Sequence, residues 1–155
     1  MTRIISFALV AVMLFAVLPL SAFAETDPLT YEKSEDGTYY IVSDCDTSAT
    51  EVVIPSAYEG LPVKKIGDGA FYYCTSLTNI KIPNSVTSIG DSAFEDCWSL
   101  TSIEIPNGVT SIGDYAFAWC GALMNIEIPN GVTSIGANTF VKCVSLTSIE
   151  IPNSV

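Results

Sequence analysis

Leucine, isoleucine and valine recur at fixed intervals along the second half of this chain, with polar residues at fixed places between them. Residues 77–99 read LTNIKIPNSVTSIGDSAFEDCWS, residues 100–122 LTSIEIPNGVTSIGDYAFAWCGA, and residues 123–145 LMNIEIPNGVTSIGANTFVKCVS. The three align without a gap on a 23-residue period, and a further block opens at 146 with LTSIEIPNSV. An irregular unit from Glu51 to Ser76 shares Ile54-Pro55 and the IGDGAFYYC of residues 66–74. It carries a longer loop through Tyr58-Glu59-Gly60-Leu61-Pro62. A period of this length predicts a solenoid, because one such unit cannot bury its apolar face alone and must stack on its neighbours.

Within one block the apolar spacing changes twice. Ile103 and Ile105 are two apart, the period of a strand with one buried face, so Ser102 and Glu104 point outward. Pro106 has no amide to give a ladder and ends the strand. Asn107 is placed to bond turn backbone. Val109 and Ile112 return to the core, and Gly113 permits a turn closed to other residues. Asp114 then reads as an N-cap for a single helical or 3₁₀ turn that turns Ala116, Phe117 and Cys120 inward. The expected architecture is a repeat solenoid of roughly four to five coils. It has one narrow sheet of short parallel β-strands, 3₁₀ or short-helix turns opposite, and stacked ladders of Ile, Val, Phe and Cys.

Leu100, Ile103, Ile105 and Asn107 follow the opening of a leucine-rich repeat, with isoleucine for the later leucines. The second half, S-V-T-S-I-G-x-x-A-F-x-x-C, resembles the BspA-like (Treponema-type) class of these repeats over about residues 51–155. Ala137-Asn138-Thr139-Phe140 departs slightly from the D-x-A-F of that ending. The resemblance implies a right-handed leucine-rich-repeat solenoid. It also implies a secreted or cell-surface protein that adheres to extracellular-matrix or host-surface proteins.

The first 24 residues are read separately. Arg3 precedes an uncharged apolar run from Ile4 to Leu20, Pro19 and Ser21 break it, and Ala22-Phe23-Ala24 is a small-x-small cleavage signature. This is the pattern of a secretory signal peptide, with an uncleaved membrane anchor as the alternative. After cleavage no membrane insertion is expected. Residues 25–50 lack the repeat; Asp36-Gly37 between β-prone runs from Tyr31 to Val42 predicts a hairpin, expected to cap the first coil. The block at 146–155 stops before its Phe and Cys, which suggests a gene fragment or self-association through an uncapped coil.

All 17 acidic residues lie beyond Ala24, and Arg3 is the one basic residue before it. A strongly acidic mature chain is a poor partner for nucleic acid or anionic lipid. There is no histidine, so no Ser-His-Asp or Cys-His arrangement is possible. Cys74, Cys97, Cys120 and Cys143 are spaced 23 apart and form a linear ladder, which cannot surround a metal ion. They are expected to be buried free thiols. Cys45, between Asp44 and Asp46, is the odd one. Neither cofactor nor metal is expected, and the chain is read as no enzyme.

Two surfaces are candidates for binding a protein partner. Glu104, Glu127 and Glu150 form an outward column continued by Lys81, flanked by Asn79, Ser102, Asn125 and Ser148. A bland reading is a solvated strand face. Closely stacked carboxylates also suit a retaining glycosidase, but an open face offers no sugar-enclosing pocket. Phe71, Phe94, Phe117 and Phe140 recur with the repeat and belong to the core, whereas Tyr72, Tyr73, Trp98, Tyr115 and Trp119 do not recur. Trp98, Tyr115 and Trp119 are candidate aromatic anchors, or else shields between coils. The functional alternative to adhesion is a spacer or targeting module of a larger secreted protein.

Overall fold

The computed structural model describes residues 27–155, so the signal-peptide reading of residues 1–24 lies outside the described residues. Eleven short strands follow in chain order. They are β1 (Leu29–Lys33), β2 (Tyr40–Cys45), β3 (Glu51–Val53), β4 (Ala57–Tyr58), β5 (Leu61–Ile66) and β6 (Asn79–Lys81). Then come β7 (Ser88–Ile89), β8 (Ser102–Glu104), β9 (Ser111–Ile112), β10 (Asn125–Glu127) and β11 (Ser134–Ile135). They wind a solenoid of about four turns with a 23-residue period and no helix among the described residues.

Each regular coil contributes two strands, one more than the sequence reading expected. The L-x-x-I-x-I strands pair in parallel as β3 with β6 and β8 with β10, and the middle residue of each is buried between two exposed ones. The Ser-Ile dipeptides form a second parallel ladder, β5-β7-β9-β11, so the single narrow sheet of the sequence reading becomes two rows. The second row arises because Ile89, Ile112 and Ile135 each turn inward opposite the first row, and stacking then brings their backbones into hydrogen-bonding reach.

β1 and β2 form the antiparallel hairpin expected around Asp36-Gly37. Gly37 is left-handed (φ 71°), and the Asp36 carboxylate accepts bonds from the Ser34 hydroxyl and the Thr38 amide and hydroxyl. β2 runs parallel to β5, which adds the hairpin to the edge of the second row and sinks Leu29, Tyr40, Val42 and Cys45 into the core. The loop foreseen at Tyr58–Pro62 is itself a tight hairpin: β4 pairs with β5, and both residues between them, Glu59 and Gly60, have positive φ. Two positive-φ residues match the right-handed twist of flanking strands.

The remaining side of each coil is a turn, and here the helical expectation is corrected. The amides of Ala116, Ala118 and Cys120 close i→i−3 bonds within their own coil. Those of Tyr115, Phe117 and Trp119 instead donate to the Ala137, Thr139 and Val141 carbonyls of the next coil at 2.8–3.0 Å. Every second amide is thus committed between coils, which no helix allows. The alternation needs left-handed residues at Tyr115 (φ 56°) and Trp119 (φ 60°), and the same places recur at Ser92, Asp96, Asn138 and Lys142. Phe71, Phe94 and Phe117 are fully buried and stack face to face, with Phe140 partly buried at the end of the row; the centroid spacings are 4.9, 5.3 and 5.7 Å.

Three local readings also change. Asp114 is not an N-cap, because its carboxylate accepts the Ala137 amide of the next coil. Asn107 is exposed and makes no side-chain bond among the described residues, and its turn is closed by the Val109 amide on the Pro106 carbonyl at 3.0 Å. Gly113 does not have positive φ. A Cβ there would lie 2.6 Å from the Asp91 nitrogen, so glycine is required by the closeness of the coil beneath. The Thr139 variation is accommodated because its buried hydroxyl donates to the Gly136 carbonyl at 2.7 Å and lies 3.2 Å from that of Gly113.

Candidate functional site

The first strand row carries the polar strip. Its register sets Ser102 beside Asn125 and Glu104 beside Glu127, all exposed on β8 and β10. Alternation along a strand forces this: Ile103 and Ile126 are drawn inward, and their neighbours must face out. These four residues line one shallow depression of about 1130 Å³ together with Ser148 and Glu150. Ser148 and Glu150 are exposed but belong to no strand, so the expected column is a ladder for two rungs and a loose continuation at the third. Asn79 and Lys81 on β6 line an adjoining depression that shares Ser102, Ile103 and Glu104. One coil earlier the Lys81 position is held by Val53, 70% exposed, so the strip changes from apolar to basic to acidic along the row.

The aromatic candidates lie on the turn side. Trp98 is 54% exposed and its indole N–H donates to the Asp96 carboxylate at 2.7 Å, a bond that fixes the ring against its own turn. Trp119 is half-exposed with the Lys142 ammonium 5.8 Å from its ring centre. The Tyr115 hydroxyl accepts from the Asn138 side chain at 2.9 Å. Each of the three is therefore held by one polar partner while much of its ring stays open. They occupy a different side of the coil from Glu104 and Glu127, so the strip and the aromatics are two separate surfaces.

A third surface was not singled out from the sequence. Lys65, Ser88, Ser111 and Ser134 point out from the second row and line a groove whose rim carries Asp68, Asp91 and Asp114. The signal was present as the repeated T-S-I-G-D, but only the second row of strands makes those serines neighbours. The Asp68, Asp91 and Asp114 carboxylates are already occupied by amides of the following coil. Thr87, Thr110 and Thr133 likewise bond back to the carbonyls of Lys64, Thr87 and Thr110 at 3.1–3.2 Å.

All five cysteines are free and buried. Cys97, Cys120 and Cys143 each donate to the phenylalanine carbonyl of the preceding coil, Phe71, Phe94 and Phe117, at 3.1–3.2 Å. Burial pushes the Cys97 and Cys120 thiols well above the ordinary range, so neither is a nucleophile at neutral pH. Among the described residues no group of three or more Cys, Asp or Glu converges as a metal site, and no helix is long and apolar enough to cross a membrane.

Residues 38–155 match the BspA type leucine rich repeat region, in six copies. The chain belongs to the BspA-type leucine-rich-repeat family. Its solenoid resembles that of a leucine-rich-repeat protein of T. pallidum, with a TM-score of 0.69 and 28% identity over 82% of this chain and 70% of the other. A leucine-rich-repeat protein from Bacteroides capillosus is similar at TM-score 0.68 and 29% identity, over 81% of this chain and 94% of its own. One from Bacteroides ovatus reaches 33% identity and TM-score 0.67 over 83% of this chain, which spans only 41% of that longer protein. No curated protein matches the chain. The BspA-type solenoid is typically a non-catalytic scaffold for protein–protein interaction.

Proposed function

We propose that this BspA-type chain is a secreted or cell-surface adhesion module. It binds an extracellular-matrix or host-surface protein through the polar strip of Asn79, Lys81, Ser102, Glu104, Asn125 and Glu127. The observation that carries the reading is the register of Glu104 against Glu127 on paired strands, both exposed. Like charges directly opposite each other on a sheet destabilise it, so a surface that keeps them gains when a basic partner docks. Ser102 and Asn125 alongside offer donors and acceptors for orienting that partner. Trp98, Tyr115 and Trp119 supply a second contact area.

The test is biosensor binding of the protein to immobilised fibronectin and fibrinogen, with a Glu104→Ala/Glu127→Ala variant beside it. Saturable binding that the variant loses supports adhesion through the strip. Equal binding by both moves the contact to the aromatic side, and a Trp98→Ala/Trp119→Ala variant then loses it. A folded protein that binds neither ligand leaves the spacer reading in place.

A further inference from the structure

The cysteine ladder has a first rung unlike the others. From the second rung on, each thiol donates to a phenylalanine carbonyl 26 residues earlier, on the coil before. Cys74 lies on the first coil, where that carbonyl does not exist, because residues 46–50 form the turn out of the hairpin and no phenylalanine precedes them there. Its place is taken by Cys45, the last residue of β2, whose thiol is hydrogen-bonded to the Cys74 thiol. The Cys45 sulfur also lies 3.6 Å from the Asp46 carbonyl, at the rim of the core, with 4% of the residue exposed against none of Cys74. The two come from different segments, the hairpin and the first coil, and their sulfurs face each other. The ladder thiols of later coils face a backbone oxygen instead.

We propose that Cys45 and Cys74 form a disulfide that fastens the β1–β2 hairpin to the first coil, while Cys97, Cys120 and Cys143 remain thiols. The oxidant is a small or protein disulfide. One thiol of the pair attacks it, giving a mixed disulfide and releasing a thiol; the second then displaces the other half. Two S–H bonds are lost, one S–S bond forms, and the two electrons and two protons leave with the oxidant as two thiols. The hydrogen bond from Cys45 draws the Cys74 thiol below its ordinary range and holds Cys45 above it, which leaves Cys74 as the attacking sulfur of the pair. Closing the segment between the two cysteines restricts the unfolded chain and stabilises the hairpin's attachment. The inference does not depend on the adhesion reading.

The experiment exposes the reduced full chain to oxidised glutathione, then counts thiols under denaturing conditions and maps tryptic peptides. Cleavage after Lys33, Lys64, Lys65 and Lys81 puts Cys45 and Cys74 on separate peptides, and both apart from Cys97, Cys120 and Cys143. The expected result is a fall from five thiols to three, a crosslinked peptide pair holding Cys45 and Cys74, and a Tm rise of roughly 5–10 °C on oxidation. Cys45→Ser, at the rim, is expected to keep its remaining thiols and show no such rise. Five surviving thiols in the wild type, a crosslink on the other peptides, or an equal rise in Cys45→Ser overturns the proposal.

Discussion

The Asp91 carboxylate accepts the backbone amide of Asp114, one coil further on, at 2.8 Å. Asp68 does the same for Asp91 at 2.9 Å, and Asp114 for Ala137 at 2.6 Å. Each aspartate is both acceptor for the next coil and, through its own amide, donor to the one before. The row therefore sets the coil-to-coil register at a place where no strand ladder runs. Asp91→Ala is expected to lower stability by about 1–2 kcal/mol, because it leaves the Asp114 amide to water and loosens one junction. Asp91→Asn keeps the acceptor oxygen and is expected to lose less than half of that. Urea unfolding of both variants checks the pair, and equal losses would mean that the charge and not the acceptor matters.

Glycine in the I-G-D segment answers to the same closeness. A Cβ at Gly113 would sit 2.6 Å from the Asp91 nitrogen and from the Gly90 carbonyl carbon, both backbone atoms that cannot swing aside. Gly113→Ala is expected to destabilise by about 1–3 kcal/mol through overpacking. Gly121, in the same coil, has nothing within 4 Å of such a Cβ, and Gly121→Ala should be tolerated. A Tm comparison of the two tests whether proximity or chain flexibility explains the repeat's glycine.

The phenylalanine stack is continuous, so its loss should depend on position. Phe94 has rings on both sides, at 4.9 Å and 5.3 Å, and is fully buried. Phe94→Ala is expected to cost about 3–5 kcal/mol and to uncouple the coils on either side. Hydrogen exchange should show faster opening of the Phe71 and Asp96 amides, which donate across that layer. Protection unchanged there would mean that the stack carries little of the coupling.

The hairpin turn has a pH dependence of definite sign. The Ser34 hydroxyl, then the Thr38 amide and hydroxyl, hold the Asp36 carboxyl below the ordinary carboxylate value of 3.8. A depressed folded-state value contributes stability above the ordinary value, which is lost as pH falls through the folded one. The turn should therefore loosen on acidification below about pH 4. NMR of the Thr38 amide should report its bond to Asp36 breaking there, and Asp36→Asn should abolish that acid transition. An Asp36 carboxyl titrating at or above its ordinary value would contradict this account.

Legibility differed by residue. Ile103, Ile105, Phe117 and Cys120 could be placed inward from one block alone, because burial follows a local spacing that needs no knowledge of the neighbouring coil. The strip of Glu104 and Glu127 was legible for the same reason, as what remains outward once the isoleucines are fixed. The aromatic turn was read as helical, and the left-handed column through Tyr115 and Trp119 shows why. Its cue, Gly69 and Asn138 at equivalent places, appears only when coils are compared. The serine groove of Ser88, Ser111 and Ser134 was missed because two-residue strands carry too little alternation to declare themselves.

The sequence by itself determined the period, the inward set of side chains and the family, since each is written in intervals shorter than one coil. Only the tertiary structure decided the second strand row, the alternating amides of the turn, the Asp91–Asp114 link, the need for Gly113 and the meeting of Cys45 with Cys74. All of these join residues on different coils or segments. A backbone amide shows no preference for its own turn or the next until stacking brings a carbonyl within reach.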